Sequence, residues 1–466
     1  MRTLYTNFPY PTEIHDVVKL FFDDVELCAD FSQADICVVE NALQETLFEY
    51  NATYNGKAKL QRVDVGGANE LHQIRLRKRH AKIAIYNLLV CATGKTMPWG
   101  SLTGIRPTKL ADQLSHEGLN WQETFTNLLG VSQNKTKLVA DILQTQSGLR
   151  QHKDGCADLY VGIPFCVSRC SYCSFTSGEL DRLKKYVEPY VSALCQDIAQ
   201  TLRFAKNKGI QINNVYFGGG TPTSLSAKQL DEVMSCIDIS PVEFTVESGR
   251  PDTIDADKLD VFAKYGVHRI SINPQTFNQS VLDVIGRKHT VKDIYDKYEL
   301  AKGYGFTINM DLIAGLPTET YDMFCNSINQ AIALEPHNIT VHTLALKHGS
   351  ALKEQNYAGA MDVSRMVEYA HEMLYKAGYV PYYMYRQKYM SENLENVGYC
   401  KPGTHCLYNI GIMEELSDIL ACGTNAISKR IFLCENRIER SANAKDVITY
   451  IERNGDYIDK KFKLFS

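Results

Sequence analysis

The chain has 466 residues, 44% of them hydrophobic and 22% charged, with a formal net charge of -4. That length exceeds one ordinary domain and points to two or three. The slightly acidic balance argues against a general nucleic-acid or acidic-membrane binder. With no signal-peptide pattern and no window of membrane-helix length, the expected location is the cytoplasm.

Residues 1–150 are expected to form an α/β accessory domain. They contain strand-like pieces such as "DICVVENAL", a basic run "RLRKRHAKIAIYNLL" over 75–89, and "MPWGSLTGIRPTKLADQL" over 97–114. A basic run of this kind is most often a solvated helix face; the other reading is contact with a polyanionic substrate or a partner.

From 151 to 350 one plan repeats. A short β-branched run ends in a glycine-rich or polar turn, and a helical stretch follows. The runs are "DLYVGIP", "NNVYFGGGTP", "VEFTVESGRP", "HRISINPQTF", "TINMDLIAGLP" and "HNITVHTLAL". Ser226 and Asp255 suit helix N-caps, and Gly266 and Gly303 suit helix stops. Six βα units in series predict an α/β fold with a parallel sheet. No Gly-x-Gly-x-x-Gly opens a helix, so a barrel or an incomplete barrel of six units fits better than a dinucleotide fold. In barrels the chemistry gathers at the C-terminal ends of the strands, where the glycine and polar motifs of this chain fall. Residues 351–466 are expected to cap the barrel mouth. Tyr382, Tyr383, Tyr385, Tyr389 and Tyr399 are dense there, either as packing or as an aromatic lid over a large flat ligand.

The 14 cysteines need a reason in a reducing compartment. Cys28, Cys37, Cys91, Cys195, Cys236 and Cys325 read as small buried hydrophobes, and Cys400 and Cys406 as structural thiols. "YVGIPFCVSRCSYCSF" is different: Cys166, Cys170 and Cys173 share one loop after the first strand. Thiolates are soft ligands for iron–sulfur clusters, zinc or copper(I). Cys-x3-Cys-x2-Cys can hold three irons of a four-iron cluster and leave the fourth open to chelation by a small molecule. The alternatives are unliganded cysteines, or zinc with a distant fourth ligand.

The three-cysteine spacing is the signature of the radical S-adenosylmethionine (SAM) enzymes. The surrounding residues resemble the Tyr-x-His-x-Pro-Phe-Cys segment of the oxygen-independent coproporphyrinogen III oxidases, or coproporphyrinogen dehydrogenases. That family includes relatives thought to carry haem. The N-terminal extension and "SLTGIRPTK" resemble one branch of it. The resemblance implies a partial (β/α)6 TIM-type barrel, with a [4Fe–4S] cluster on Cys166, Cys170 and Cys173 and one or two molecules of SAM. Tyr160 would be catalytic and face the cofactor, with Tyr172 beside it. Gly219, Gly220 and Thr221 of "GGGTP" would lie against the SAM methionine moiety, and Glu247 would bind SAM. Gln275, Arg287 and Asp311 would surround a second SAM or the substrate-side pocket, and Ile313 and Leu316 would wall the adenine.

The implied activity converts two propionates of coproporphyrinogen III to vinyl groups without oxygen, giving protoporphyrinogen IX for haem biosynthesis. A 5'-deoxyadenosyl radical would take a hydrogen from the β-carbon, and carbon dioxide and one electron would leave. The implied partners are a tetrapyrrole substrate and a low-potential electron donor such as flavodoxin or ferredoxin. Four propionates predict a local basic rim. The chain departs from the pattern in three places: Gly162 stands for the usual His, Phe175 for a further Cys, and Tyr172 for a Phe. The absent cysteine brings the loop closer to the haem-carrying relatives. A haem carrier would need an axial ligand, for which His342, His405, Cys400 and Cys406 are available.

Overall fold

The computed structural model describes residues 1–466 except Ala68, Ile105, Phe175, Thr176, His348, Asn356, 358–361, Lys388, Tyr389 and Asn436, and the side chain of Cys434. Phe175 and Tyr389 of the sequence reading thus lie outside the described residues. Two compact units emerge: residues 1–140 with 392–394, and residues 141–391 with 395–466.

In the first unit β1 (Arg2–Thr6), β2 (Val25–Leu27), β3 (Ile36–Ala42), β4 (Leu47–Tyr54) and β5 (Lys57–Asp64) form a sheet in the order β2-β1-β3-β4-β5. Strand β3 is the run "ICVVENA" expected as a strand. Helix α1 (Pro11–Val18) and helix α2 (Glu70–Thr93) bury Ile14, Val17, Ile85 and Leu88 in one core with Leu4, Ile36 and Tyr50 of the sheet. The basic run lies inside α2. Asn69 caps its start by accepting from His72 N, and Gly94, in the left-handed conformation, closes it. Helix α3 (Pro107–His116) starts on the proline of "RPTK".

The second unit is built on an eleven-stranded sheet. Its middle is the predicted series: β6 (Cys156–Ile163), β9 (Gln211–Gly219), β10 (Glu243–Val246), β11 (Arg269–Ser271), β12 (Thr307–Ala314) and β13 (Asn338–Thr343). These six run parallel and neighbour one another in chain order. Short β7 (Phe165–Cys166) and β8 (Gly178–Glu179) pair within the cysteine loop. The crossovers are α4 (Val187–Lys208), α5 (Ala227–Ser235), α6 (Ala256–Lys264), α7 (Gln279–Val284), α8 (Val291–Lys302) and α9 (Tyr321–Ala333), each at a predicted helical stretch. Ser226 caps α5 through a capping box, and Asp255 caps α6 through Lys258 N. Gly266 turns left-handed after α6, but after α8 Gly305 does so and Gly303 stays right-handed.

Residues beyond 351 extend the same sheet at both edges. On one side β15 (Asn396–Cys400) runs antiparallel to β13, with β14 (Val380–Tyr385) outside it. On the other, β16 (Asp418–Gly423) runs parallel to β6, followed by β17 (Ile427–Phe432) and β18 (Arg437–Ala442). The sheet is open among the described residues: it keeps the six-unit order of the partial barrel and does not close. Helices α10 (Val363–Lys376), α11 (Leu407–Glu414) and α12 (Asn454–Leu464) complete this region. Buried Lys461 of α12 bonds Asp197 at 2.6 Å and Thr201 at 2.7 Å on α4. Asp197 also accepts from Gly423 N at 3.2 Å. The end of β16, beside the first barrel strand, is thereby tied to α4 and the C-terminal helix. The scattered cysteines are less uniform than expected: Cys37 and Cys325 are buried, but Cys28, Cys195 and Cys236 are half-buried and Cys91 is exposed.

Candidate functional site

The cysteine loop leaves β6 at Pro164 and is pinned by backbone bonds. Gly220 N donates to the Ile163 carbonyl at 2.7 Å and Thr221 N to the Phe165 carbonyl at 2.8 Å. Farther along, Ser171 N donates to the Ile285 carbonyl at 3.0 Å. Gly220 has to be small: a Cβ there would stand 2.7 Å from the Phe165 oxygen and 3.0 Å from Cys166 Sγ. The Cys166 thiol sits 3.4 Å from Ser177 Oγ and 3.5 Å from Thr221 Oγ1.

Arg250, which the sequence reading passed over, holds this loop from below. Its Nη1 donates to the Ser168 carbonyl at 3.1 Å and to Ser168 Oγ at 2.8 Å, and lies 3.9 Å from Cys170 Sγ. Nε and Nη2 fork onto Asp252 at 3.1 and 2.9 Å. Burial alone would raise the Asp252 carboxyl; the Arg250 guanidinium reverses this and holds it below the ordinary range.

Two cavities meet at the C-terminal ends of the strands. The first, about 320 Å³, is lined by all three loop cysteines and by Tyr172, Thr221, Gln275, Arg287 and Ile313. The second, about 460 Å³, is lined by Tyr160, Tyr216, Tyr382, Tyr383 and Tyr408 among others. Gly219, Gly220, Glu247, Asp311, His342 and Tyr385 belong to both walls. Twelve of the fourteen residues assigned from sequence therefore surround the cysteine-side cavity; the exceptions are Leu316 and Tyr160. Tyr160 faces the aromatic one and stacks with Tyr216 at 6.3 Å and Tyr408 at 6.4 Å. Tyr216 and Tyr408 themselves stack at 4.2 Å. Neither was singled out from sequence, since alternation in a strand gives Tyr216 no mark of function. Leu316 is fully buried behind the cavity wall in one cluster with Ile313. Of the four axial-ligand candidates, His342 and Cys406 face the aromatic cavity, while Cys400 and His405 line a separate surface cleft.

The electrostatics separate the two shared carboxylates. Burial pushes Glu247 up to about 7, against the hydrogen bond it accepts from Tyr216. Burial would raise Asp311 too, but His342 at 3.6 Å and Asn309 at 2.8 Å pull it below the ordinary value. Near neutrality Asp311 is ionised and Glu247 is poised to gain or lose a proton. A stability prediction follows from the sign. Unfolded, Glu247 ionises near 4.5; folded, near 7. Between those values only the unfolded chain ionises, so this group costs stability as pH rises, up to roughly 3 kcal/mol. Because part of its surface looks into the cavity, that figure is an upper bound. Glu247→Gln removes the cost: its denaturant midpoint should exceed the parent's at pH 8 and match it at pH 4. A pH-independent difference would contradict the assignment.

Several buried polar atoms around the cavities lack a protein partner. They include Asn273 Oδ1, Gln275 Oε1 and Arg287 Nε on the cysteine side, and Thr245 Oγ1 and Ser271 Oγ on the aromatic side. Buried polar atoms are rarely left unpaired, so orphans converging on one space mark a ligand site. Gln275 also holds a positive φ of 68°, a strained backbone for a non-glycine residue. Among the described residues no three His, Cys, Asp or Glu side chains converge tightly enough for a single metal ion. Three thiols around one cavity instead suit a polynuclear cluster, in which each thiolate binds a separate iron.

Residues 160–331 match the radical SAM superfamily. Over 97% of this chain and 94% of its own length, the "oxygen-independent coproporphyrinogen-III oxidase-like protein HemZ" of Bacillus subtilis is 36% identical. The chain belongs to the radical SAM superfamily, in the HemZ family. "Heme chaperone HemW" of Escherichia coli is 28% identical over 66% of this chain and 80% of that protein. The solved coproporphyrinogen III oxidase HemN of Escherichia coli shares the fold at a TM-score of 0.52 and 23% identity, over 67% of this chain and 72% of that one. Radical SAM membership implies a [4Fe–4S] cluster and SAM, and the cysteine-side cavity with its unpartnered polar atoms fits both. Gly162, on β6, is crowded: a Cβ there would stand 3.1 Å from the Thr424 carbonyl oxygen and 3.3 Å from the Tyr160 ring, so a side chain in its place requires these neighbours to shift. No helix among the described residues is long and apolar enough to cross a membrane.

Proposed function

We propose that the chain catalyses the oxygen-independent oxidative decarboxylation of coproporphyrinogen III propionates to vinyl groups. The observation that carries this reading is the shared wall between a cysteine-lined cavity and a tyrosine-lined cavity of about 460 Å³. In this reading Cys166, Cys170 and Cys173 hold the cluster, and the cysteine-side cavity holds SAM. Bound together, cluster and SAM supply one-electron cleavage of the sulfonium and a 5'-deoxyadenosyl radical. The chain's own residues do the rest. Gly219 and Gly220 let backbone approach the ligand, and Asn273 and Gln275 offer it unpaired oxygens. Glu247 and Asp311 stand between the cavities and take up its cationic or hydroxylated parts. Tyr160, Tyr216 and Tyr408 present ring faces to a flat tetrapyrrole and exclude water. Each propionate loses one hydrogen atom from its β-carbon, carbon dioxide and one electron; an outside acceptor takes that electron.

The expected basic rim is confined to the cysteine side. In the aromatic cavity the only Arg or Lys among the described lining residues is Arg269, already held by Glu243 at 3.2 Å and by the Thr404 and His405 carbonyls at 3.0 Å. Lys347 on the cysteine side has no side-chain hydrogen bond or ion pair among the described residues, and burial pushes its pKa down. It is the cation available to a propionate.

A second reading, haem carriage, is favoured by the HemW relatives and by His342 and Cys406 on the aromatic wall. One anaerobic experiment separates them. The reconstituted protein is given SAM, a strong reductant and coproporphyrinogen III, and deoxyadenosine and tetrapyrroles are followed by mass spectrometry. Loss of two carboxyl groups matched by deoxyadenosine is expected. Deoxyadenosine without decarboxylation would redirect the substrate. Neither product, together with tight haemin binding, would replace the enzyme reading with the carrier.

A further inference from the structure

Helix α2 carries Arg75, Lys78, Arg79 and Lys82 at i, i+3, i+4 and i+7, which puts all four on one face. That face borders a cavity of about 180 Å³ within the N-terminal unit, completed by Ser101, Leu102 and Gly104 of the following loop, Leu110 of α3, and Leu129. Glu13 is the one carboxylate among the described residues lining this cavity. It pairs with Lys78 at 3.3 Å and Lys82 at 3.1 Å. Lys82 also donates to Thr103 Oγ1 at 3.2 Å.

Arg79 differs from the cations around it. It makes no hydrogen bond and no ion pair among the described residues, and burial pushes its guanidinium pKa down, with only the field of Glu117 opposing. Arg77, two positions earlier, is satisfied: Nε and Nη2 fork onto Glu40, with the Nε contact at 3.0 Å and the Nη2 contact at 2.6 Å. The same helix thus pairs one arginine fully and leaves another unpaired at a cavity. An unpaired, half-buried guanidinium beside further cations costs stability in the empty state. The cost is offset when an anion enters.

We propose that this cavity is a binding site for a small oxyanion, held by the Arg79 fork with Lys78 and Lys82 beside it. The chemistry is that of a phosphoryl group or a clustered carboxylate, both matched by a planar guanidinium. The volume takes the charged group of a ligand rather than a whole cofactor. This site is independent of the radical chemistry and does not rest on the proposed reaction.

The chain has two tryptophans, Trp99 and Trp121, both in the N-terminal unit, so tryptophan emission reports on that unit alone. The full-length protein is titrated with pyrophosphate, inorganic phosphate and tricarballylate at constant ionic strength, by emission and calorimetry. Saturable binding of at least one is expected, weakened at least tenfold in Arg79→Met and unchanged in Cys170→Ala. A response to the phosphates alone assigns the phosphoryl source; a response to tricarballylate alone assigns the carboxylate source. Arg79→Met should also raise the melting midpoint of the ligand-free protein, whereas loss of a merely structural arginine would lower it. Arg75→Gln, expected to weaken binding as well, serves if Arg79→Met does not fold. No saturable binding of any probe, or binding unaffected by both variants, overturns the proposal.

Discussion

Replacing Cys170 with alanine is expected to abolish both SAM cleavage and retention of a four-iron cluster, while leaving the sheet intact. The loop offers three thiols and no fourth, so losing one leaves two anchors for four irons. Cys170 is 8% exposed, and its carbonyl accepts from Cys173 N at 3.1 Å. Alanine keeps that backbone bond and removes one sulfur, a change that costs the fold about 1 kcal/mol. The loss is therefore chemical rather than structural. Iron and acid-labile sulfide per chain, with deoxyadenosine from an anaerobic turnover, measure it. Cys400→Ala is the contrast: Cys400 is buried against β13 and β14 and lines neither cavity of the site, so its variant should keep iron and turnover. A Cys170→Ala protein that retained a full cluster would sink the assignment of the loop.

The series of six parallel strands was legible because each βα unit writes its own local signal. The run "NNVYFGGGTP" passes from an apolar stretch into a glycine-rich turn and is followed by a serine cap with glutamine three residues on. Nothing comparable announces β16. The strand character of "DILACG" comes from pairing with β6, where Leu420 faces Leu159 across more than two hundred residues of chain. Long-range pairing leaves no local mark, so the C-terminal strands read as a cap. The site divides the same way. Clustered thiols and the glycines beside them are visible because chemistry demands that residue type at that spacing. Tyr216, Tyr408 and Arg250 were invisible because their roles arise only when separate strands and loops bring them together. Gly162 is an intermediate case: the departure showed in sequence, but the crowding around it, from the Tyr160 ring and the Thr424 carbonyl, is spatial.

Arg250→Met should cost more stability than any substitution of a surface cation, and it should weaken cluster retention in the same stroke. The Arg250 side chain is 4% exposed and Asp252 is 21% exposed. Truncating one partner of such a pair strands the other, at a cost on the order of 3–5 kcal/mol. Asp252 would keep a backbone hydrogen bond, the field of Arg287, and His289, whose Nδ1 stands 3.9 Å away and whose pKa burial pushes down to about 3, so it arrives neutral. The Ser168 carbonyl and hydroxyl would lose their shared donor, freeing the loop between Cys166 and Cys170. Arg250→Lys separates the two effects: it keeps a cation near Cys170 Sγ but cannot fork onto Asp252 while reaching Ser168. Denaturant midpoints and iron content should therefore fall in the order parent, Lys variant, Met variant. Redox titration of the reconstituted proteins supplies a readout that stability alone would not move. A cation beside a ligating thiolate favours the more reducible cluster, so the Met variant should show the lower midpoint potential and the Lys variant a value near the parent. Equal potentials in all three proteins would reduce Arg250 to a structural brace.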